Sequence, residues 1–150
     1  MKLSEYRTLR NRANDNDFKQ AAGFLPPLEF QEINYRISVL ETFAYMRDTA
    51  ATLEQHEDES LRRDHQETVV GYMRFLEVDH ILLTSDSPEQ NTQRKTARAY
   101  MQTITDAFCR QSNKLSPGDY TKAVSQYLTA YCIAWERYRE MLISVVNLKL

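Results

Sequence analysis

Glu77 and His80 stand three residues apart, a spacing that on a helix sets a carboxylate and an imidazole on one face, one turn from each other. Glu41, Glu136 and Glu140 fall near the same height if the helices run up and down with turns near residues 58, 86 and 115, at ~1.5 Å of rise per residue. The chemistry of such a group would be that of a metal-carboxylate centre. Arg94, Lys95 and Arg98 occupy that height on the one helix that would have to add a carboxylate. Cations there oppose a metal ion and favour a layer of carboxylates answered by arginines. A metal site and a salt-bridged layer are thus the two readings of Glu77, His80 and Glu136, and the cations favour the second.

Two known patterns touch these residues. Glu77-x-x-His80 resembles half of the ligand set of ferritin-like di-iron bundles, but the second Glu-x-x-His is missing. Arg74 with His80 resembles the loose Arg-x(4 to 6)-His pattern of HEPN ribonucleases, which are also helical bundles, and would imply RNA cleavage by those two side chains. Six residues turn a helix through about 600°, so Arg74 and His80 point to different faces, and the pair sits in mid-helix and mid-chain. Each pattern covers a handful of residues, and neither gives a family for the chain.

The remaining reactive side chains are scattered. His65 and His80 share a stripe but lie ~22 Å apart along a helix, too far to share a metal, and His56 sits among acids as a solvated turn residue. Three histidines are too few for a hemerythrin-like iron site. Cys109 and Cys132 flank the turn near residue 115 at unequal distances, a mismatch of ~16 Å along the axes, so two free thiols are expected. There is no nucleophile elbow, glycine-rich phosphate loop or Cys-x-x-Cys. No cofactor and no metal are therefore expected, and an enzyme is the lesser reading.

The elements that would position these groups are helices. Only 3 Gly and 4 Pro serve 150 residues, too few for the many turns of a β-rich fold. Hydrophobic residues at 42% and charged residues at 27% are those of a globular chain. The expected fold is all-α, an antiparallel up-down bundle of four long helices over 26–150 with a shorter N-terminal helical arm over 1–25, together one domain.

Pro26-Pro27 followed by Phe30, Ile33, Ile37, Leu40 and Ala44 predicts a helix over about 27–57, ended by a polar run in which Asp58 caps the next. Leu61, His65, Val69, Tyr72, Met73, Leu76, His80 and Leu83 predict a helix over about 59–84. Ser87-Pro88-Glu89-Gln90 starts a third that carries Ala97, Met101, Ile104 and Phe108 inward. Ser116-Pro117-Gly118-Asp119 starts the last.

That last helix holds the candidate binding residues. Tyr120, Tyr127, Tyr131, Trp135 and Tyr138 form an aromatic face, and aromatic anchors of this type serve either core packing or protein interfaces. Residues 127–135 are apolar nearly all round, as in a helix that is central or covered by a partner. These features predict a non-enzymatic interaction module, such as an adaptor, chaperone, regulator or assembly subunit, that holds another protein or self-associates as a homo-oligomer. The alternative is a helical-bundle enzyme of one of the two kinds above. A net charge of -2 gives no general pull toward nucleic acid, and the short basic patches around Arg94, Lys95 and Arg98 and at Arg7, Arg10 and Arg12 read as solvated helix faces. Without a long apolar run or a secretory leader, no membrane partner is expected and a cytoplasmic location is.

Overall fold

The computed structural model describes residues 2–8, 10–11, 28–78, 88–113 and 115–145. All regular structure among the described residues is helical. A short helix α1 covers residues 3–8, with 10–11 also helical, and four long helices follow: α2 (Leu28–Leu53), α3 (Glu59–Val78), α4 (Pro88–Ser112) and α5 (Pro117–Val145). The all-α class and the four long helices are as the sequence predicts. No described helix is long and apolar enough to cross a membrane.

The helix ends follow from local chemistry. α2 stops four residues short of the expected 57, because its last backbone bonds tighten to three-residue spacing, Glu54 N–H to the Ala51 carbonyl (3.2 Å) and His56 N–H to that of Leu53 (3.0 Å). Asp58 then caps α3 as expected: its Oδ1 accepts the Ser60 N–H at 2.9 Å, and its carbonyl accepts the Arg62 N–H. Pro88 is the first residue of α4, while the cap residue Ser87, the expected 79–84 end of α3 and His80 lie outside the described residues. At α5 the Ser116 carbonyl accepts the Tyr120 N–H at 2.8 Å, and the Ser116 hydroxyl donates to Asp119 Oδ2 at 2.8 Å.

The described residues form two compact units, one containing those up to Ala44 and the other those from Tyr45 onward. The division falls inside α2.

In the smaller unit, Tyr6, Ile33 and Ile37 form a buried apolar cluster with Leu3 and Leu40 against it. Beside it Arg36 is buried and bonded on two sides, its Nε to Glu32 Oε1 at 3.0 Å and its Nη1 to the Tyr6 hydroxyl at 3.0 Å. Burial works against the guanidinium charge, but the bonds to Glu32 and Tyr6 outweigh it and hold the pKa above its ordinary value. At the surface Arg7 pairs with Glu41 at 2.8 Å.

In the larger unit the last turns of α2 pack with α3, α4 and α5 in up-down order. Arg74 meets Asp106 while Gln66 meets Asn113, which runs α3 against α4. Thr105 meets Tyr127 while Arg98 meets Tyr138, which runs α4 against α5. The core is Met46 and Ala50 from α2, Val69, Met73 and Leu76 from α3, and Met101 and Phe108 from α4, closed by the inner face of α5. Leu61 is the exception on the predicted α3 stripe: one turn from the helix start, it faces solvent. Ala97 and Ile104, expected inside, are half-buried.

Candidate interaction surface

The 3.6-residue period of α5 sorts its apolar middle into two faces. Inward go Tyr127, Leu128, Tyr131, Ala134 and Trp135, all 5% exposed or less, and outward go Thr129, Ala130 and Ile133. The five aromatic residues singled out in the sequence, Tyr120, Tyr127, Tyr131, Trp135 and Tyr138, are all on the buried side. In this chain they are core packing, the other role open to such residues.

Their hydroxyls are spent inside the unit. Tyr131 donates to the Met73 carbonyl at 3.0 Å and to Glu77 Oε1 at 3.3 Å. Tyr127 bonds the buried Thr105 hydroxyl at 2.6 Å and stacks on Phe108, ring centroids 4.3 Å apart. Tyr138 accepts from Arg98 Nη2 at 3.1 Å, and that guanidinium also lies over its ring. Tyr120 meets His65 Nδ1 at 2.6 Å, while His65 Nε2 lies 3.1 Å from the Met46 carbonyl. A carbonyl can only accept, so Nε2 carries the proton and Nδ1 accepts from the tyrosine. Burial raises the pKa of Tyr120, Tyr127 and Tyr131, and it lowers that of His65 despite the opposing bond to Met46, so all four are neutral at physiological pH.

Glu77 is buried and bonded to Tyr131, with Arg74 Nη1 at 3.7 Å. Glu41 pairs with Arg7 in the other unit, and Glu140 is exposed. Among the described residues no three His, Cys, Asp or Glu side chains gather to hold a cation. The half-buried Arg98 is occupied by Tyr138, and His80 lies outside the described residues. Cys109 and Cys132 are both free, with the Cys132 thiol pushed up to about 11 by burial and by the nearby Glu136 carboxylate, far from a reactive thiolate.

The surface left on the other side of α5 is a groove shared with α4. Its cavity of about 470 Å³ is lined by the small side chains of Ala97 from α4 and Ala134 from α5. Tyr100 and Ile133 stand at one height on its walls, 60% and 68% exposed, and Met141 continues the apolar lining along α5. Arg137 and Thr96 supply polar edges. Sequence reasoning located the unusual apolar girth of residues 127–135 but not the residue that carries it outward. Ile133 was legible as the position two residues past Tyr131 and therefore opposite the aromatic face. Tyr100 gave no such signal, standing beside Arg98 in a stretch that reads as solvated.

No protein-family model, curated protein or solved structure matches the chain.

Proposed function

We propose that this protein is a non-enzymatic helical interaction module that self-associates as a homo-oligomer through the α4–α5 groove. The observation that carries the reading is Ile133 standing 68% exposed beside Tyr100 over an alanine-lined groove. Large apolar side chains at that exposure forfeit burial worth about 1.5–3 kcal/mol each until a partner covers them. A second copy suits the surface because ridge and groove lie on one patch. In a two-fold interface the Tyr100 and Ile133 ridge of each copy lies over Ala97 and Ala134 of the other. The five buried aromatics serve this role from beneath, fixing α5 against α3 and α4 so that the outer ridge is rigid before association.

On this reading the chain works without metal or cofactor, holds protein rather than nucleic acid or membrane, and keeps its two free thiols in a reducing compartment such as the cytoplasm. The enzymatic alternatives both require His80 and gain support from no described contact.

Light scattering on size-separated protein, across a range of concentrations, tests the proposal. The wild type is expected to sediment toward a dimer as concentration rises, and Ile133→Asp to weaken that association by about tenfold or more. Because Ile133 is outside the core, its circular dichroism should be unchanged. A wild type that stays monomeric throughout, or an Ile133→Asp variant that dimerises normally, would overturn the reading.

A further inference from the structure

A second cavity, of about 600 Å³, opens where the start of α3 meets the end of α4 and the turn into α5. That size lies within the range of small-molecule sites, about 300–1,000 Å³. It shares no residue with the α4–α5 groove. Arg62, Arg63 and Gln66 line it from α3, and Ser112, Asn113 and Ser116 from the other side. Among the described residues of the lining, Glu59 is the one carboxylate, against two guanidiniums.

Two donors there lack acceptors among the described residues. Arg62 Nη1 is shut off from solvent with no hydrogen-bond partner, and no described carboxylate pairs with either arginine. Ser112 is 7% exposed, and its Oγ has no partner either. Hydroxyls on these helices ordinarily turn back to the carbonyl four residues earlier, as Thr42, Thr49, Thr68 and Thr103 do. Ser112 does not. A buried donor without an acceptor is costly, and here two of them, on different helices, belong to residues that line the same cavity.

The N-terminal dipole of α5 is not the attraction. It is already answered by Asp119, which accepts from Ser116, and by Glu54, whose Oε1 lies 3.2 Å from where a side chain on Gly118 would begin. What remains unanswered is the guanidinium pair and the serine hydroxyl, flanked by the amide of Gln66, which donates to Asn113 Oδ1 at 3.3 Å, and by the amide of Asn113.

We infer that this cavity binds a phosphate-type oxyanion, free or carried on a small organic group. A planar carboxylate is satisfied by one guanidinium fork. Donors set around a cavity on two guanidiniums, a hydroxyl and an amide suit the several terminal oxygens of a tetrahedral anion instead. A turn of the Arg62 and Ser112 side chains toward the cavity lets the ligand supply the acceptor that Arg62 Nη1 and Ser112 Oγ lack.

Titration of the full chain with inorganic phosphate, phenyl phosphate and benzoate at constant ionic strength, followed by calorimetry and by the arginine Nε–H resonances, tests the inference. Both phosphates should bind and shift Arg62 and Arg63, and benzoate should not. Tighter binding of phenyl phosphate identifies an ester as the ligand, and equal binding identifies the free ion. Arg62→Gln and Arg63→Gln should each weaken phosphate binding by about tenfold, and Ser112→Ala by about fivefold, the scale of charge-assisted and neutral hydrogen bonds. Lys95→Gln, removing an exposed cation on α4 outside the cavity, should leave it intact. If an arginine variant fails to fold, Ser112→Ala, which deletes one oxygen, carries the test. Absence of phosphate binding, benzoate binding as tightly as phosphate, or equal loss in Lys95→Gln would each overturn it.

Discussion

In the smaller unit the buried polar groups are ions. Arg36 and Glu32, 2% and 6% exposed, pair at 3.0 Å one turn apart on a single helix, and the Tyr6 hydroxyl reaches across from another. In the larger unit the polar ties that cross between helices are mostly hydroxyls. Tyr131 holds α5 to α3, Tyr127 holds α5 to α4, and Tyr120 reaches His65. An ion pair within one helix satisfies itself wherever that helix lies, so it says little about register. A phenol bonded to one carbonyl or hydroxyl on a neighbouring helix fixes the relative height of both. The first arrangement is expensive to break, while the second is cheaper per bond and sets the geometry of the whole bundle.

The largest expected effect follows from the ions. Arg36→Ala strips the guanidinium from the buried Glu32 carboxylate and should destabilise the protein by about 3–5 kcal/mol, read by urea denaturation. The paired change Glu32→Leu with Arg36→Met removes both charges, and should recover most of that loss because apolar replacement of a buried pair is close to neutral. If the double variant is as unstable as the single one, the pair is held by something more than its own compensation and the contrast with the phenols fails.

A smaller effect is expected from a phenol. Tyr131→Phe keeps the ring and deletes the oxygen that donates to the Met73 carbonyl and Glu77 Oε1. The expected loss is about 1–3 kcal/mol, since the buried Glu77 carboxylate gives up a donor. Burial holds the Tyr131 phenol well above its ordinary pKa, so no part of this loss should depend on pH near neutrality. If the hydroxyls set register, amide exchange should quicken in both α3 and α5, whereas a purely local bond would affect α3 near Met73 alone.

The two units also differ in how far their parts were legible in the sequence. Where apolar spacing and capping coincide, as in Asp58 before α3 and Ser116-Pro117 before α5, element and boundary were both readable. The end of α2 was not, because Glu54-Gln55-His56-Glu57 is equally compatible with one more turn of helix and with the tightened turn that forms. The α5 aromatics were legible as a face, but periodicity gives only relative angle, and which side meets the neighbours depends on α3 and α4. The Glu77 layer shows the same limit. Rise per residue placed several carboxylates at one height, yet height does not fix direction, and Glu77 turns to Tyr131 rather than to another acid. The Arg62 and Ser112 cavity left no motif, because its residues are fifty apart and meet only through the α3–α4 pairing.

His65 gives the smallest expected effect and tests whether the hydroxyl ties of the larger unit stay neutral. Its ring is half-buried, donating from Nε2 to the Met46 carbonyl and accepting from Tyr120 at Nδ1, and its pKa is lowered from the ordinary 6.5 chiefly by burial. Above 6.5 the imidazole is neutral in both folded and unfolded chains, so its contribution to stability is complete. As pH falls below 6.5 the unfolded chain takes up the proton first. The folded state therefore loses stability progressively until the pH passes the folded-state pKa, below which the loss is constant. One proton limits the slope to about 1.4 kcal/mol per pH unit, and partial exposure keeps the observed value under that ceiling. Protonation also places a donor at Nδ1 opposite the Tyr120 hydroxyl, which must then rotate to find another acceptor. Stability measured by urea from pH 8 to pH 5 should decline more steeply in the wild type than in His65→Gln, and nitrogen NMR should show the Nε2–H tautomer at neutral pH. A His65 that titrates at or above 6.5 would mean that burial does not govern this ring, and an Nδ1–H tautomer would reverse the hydrogen bonds assigned to Met46 and Tyr120.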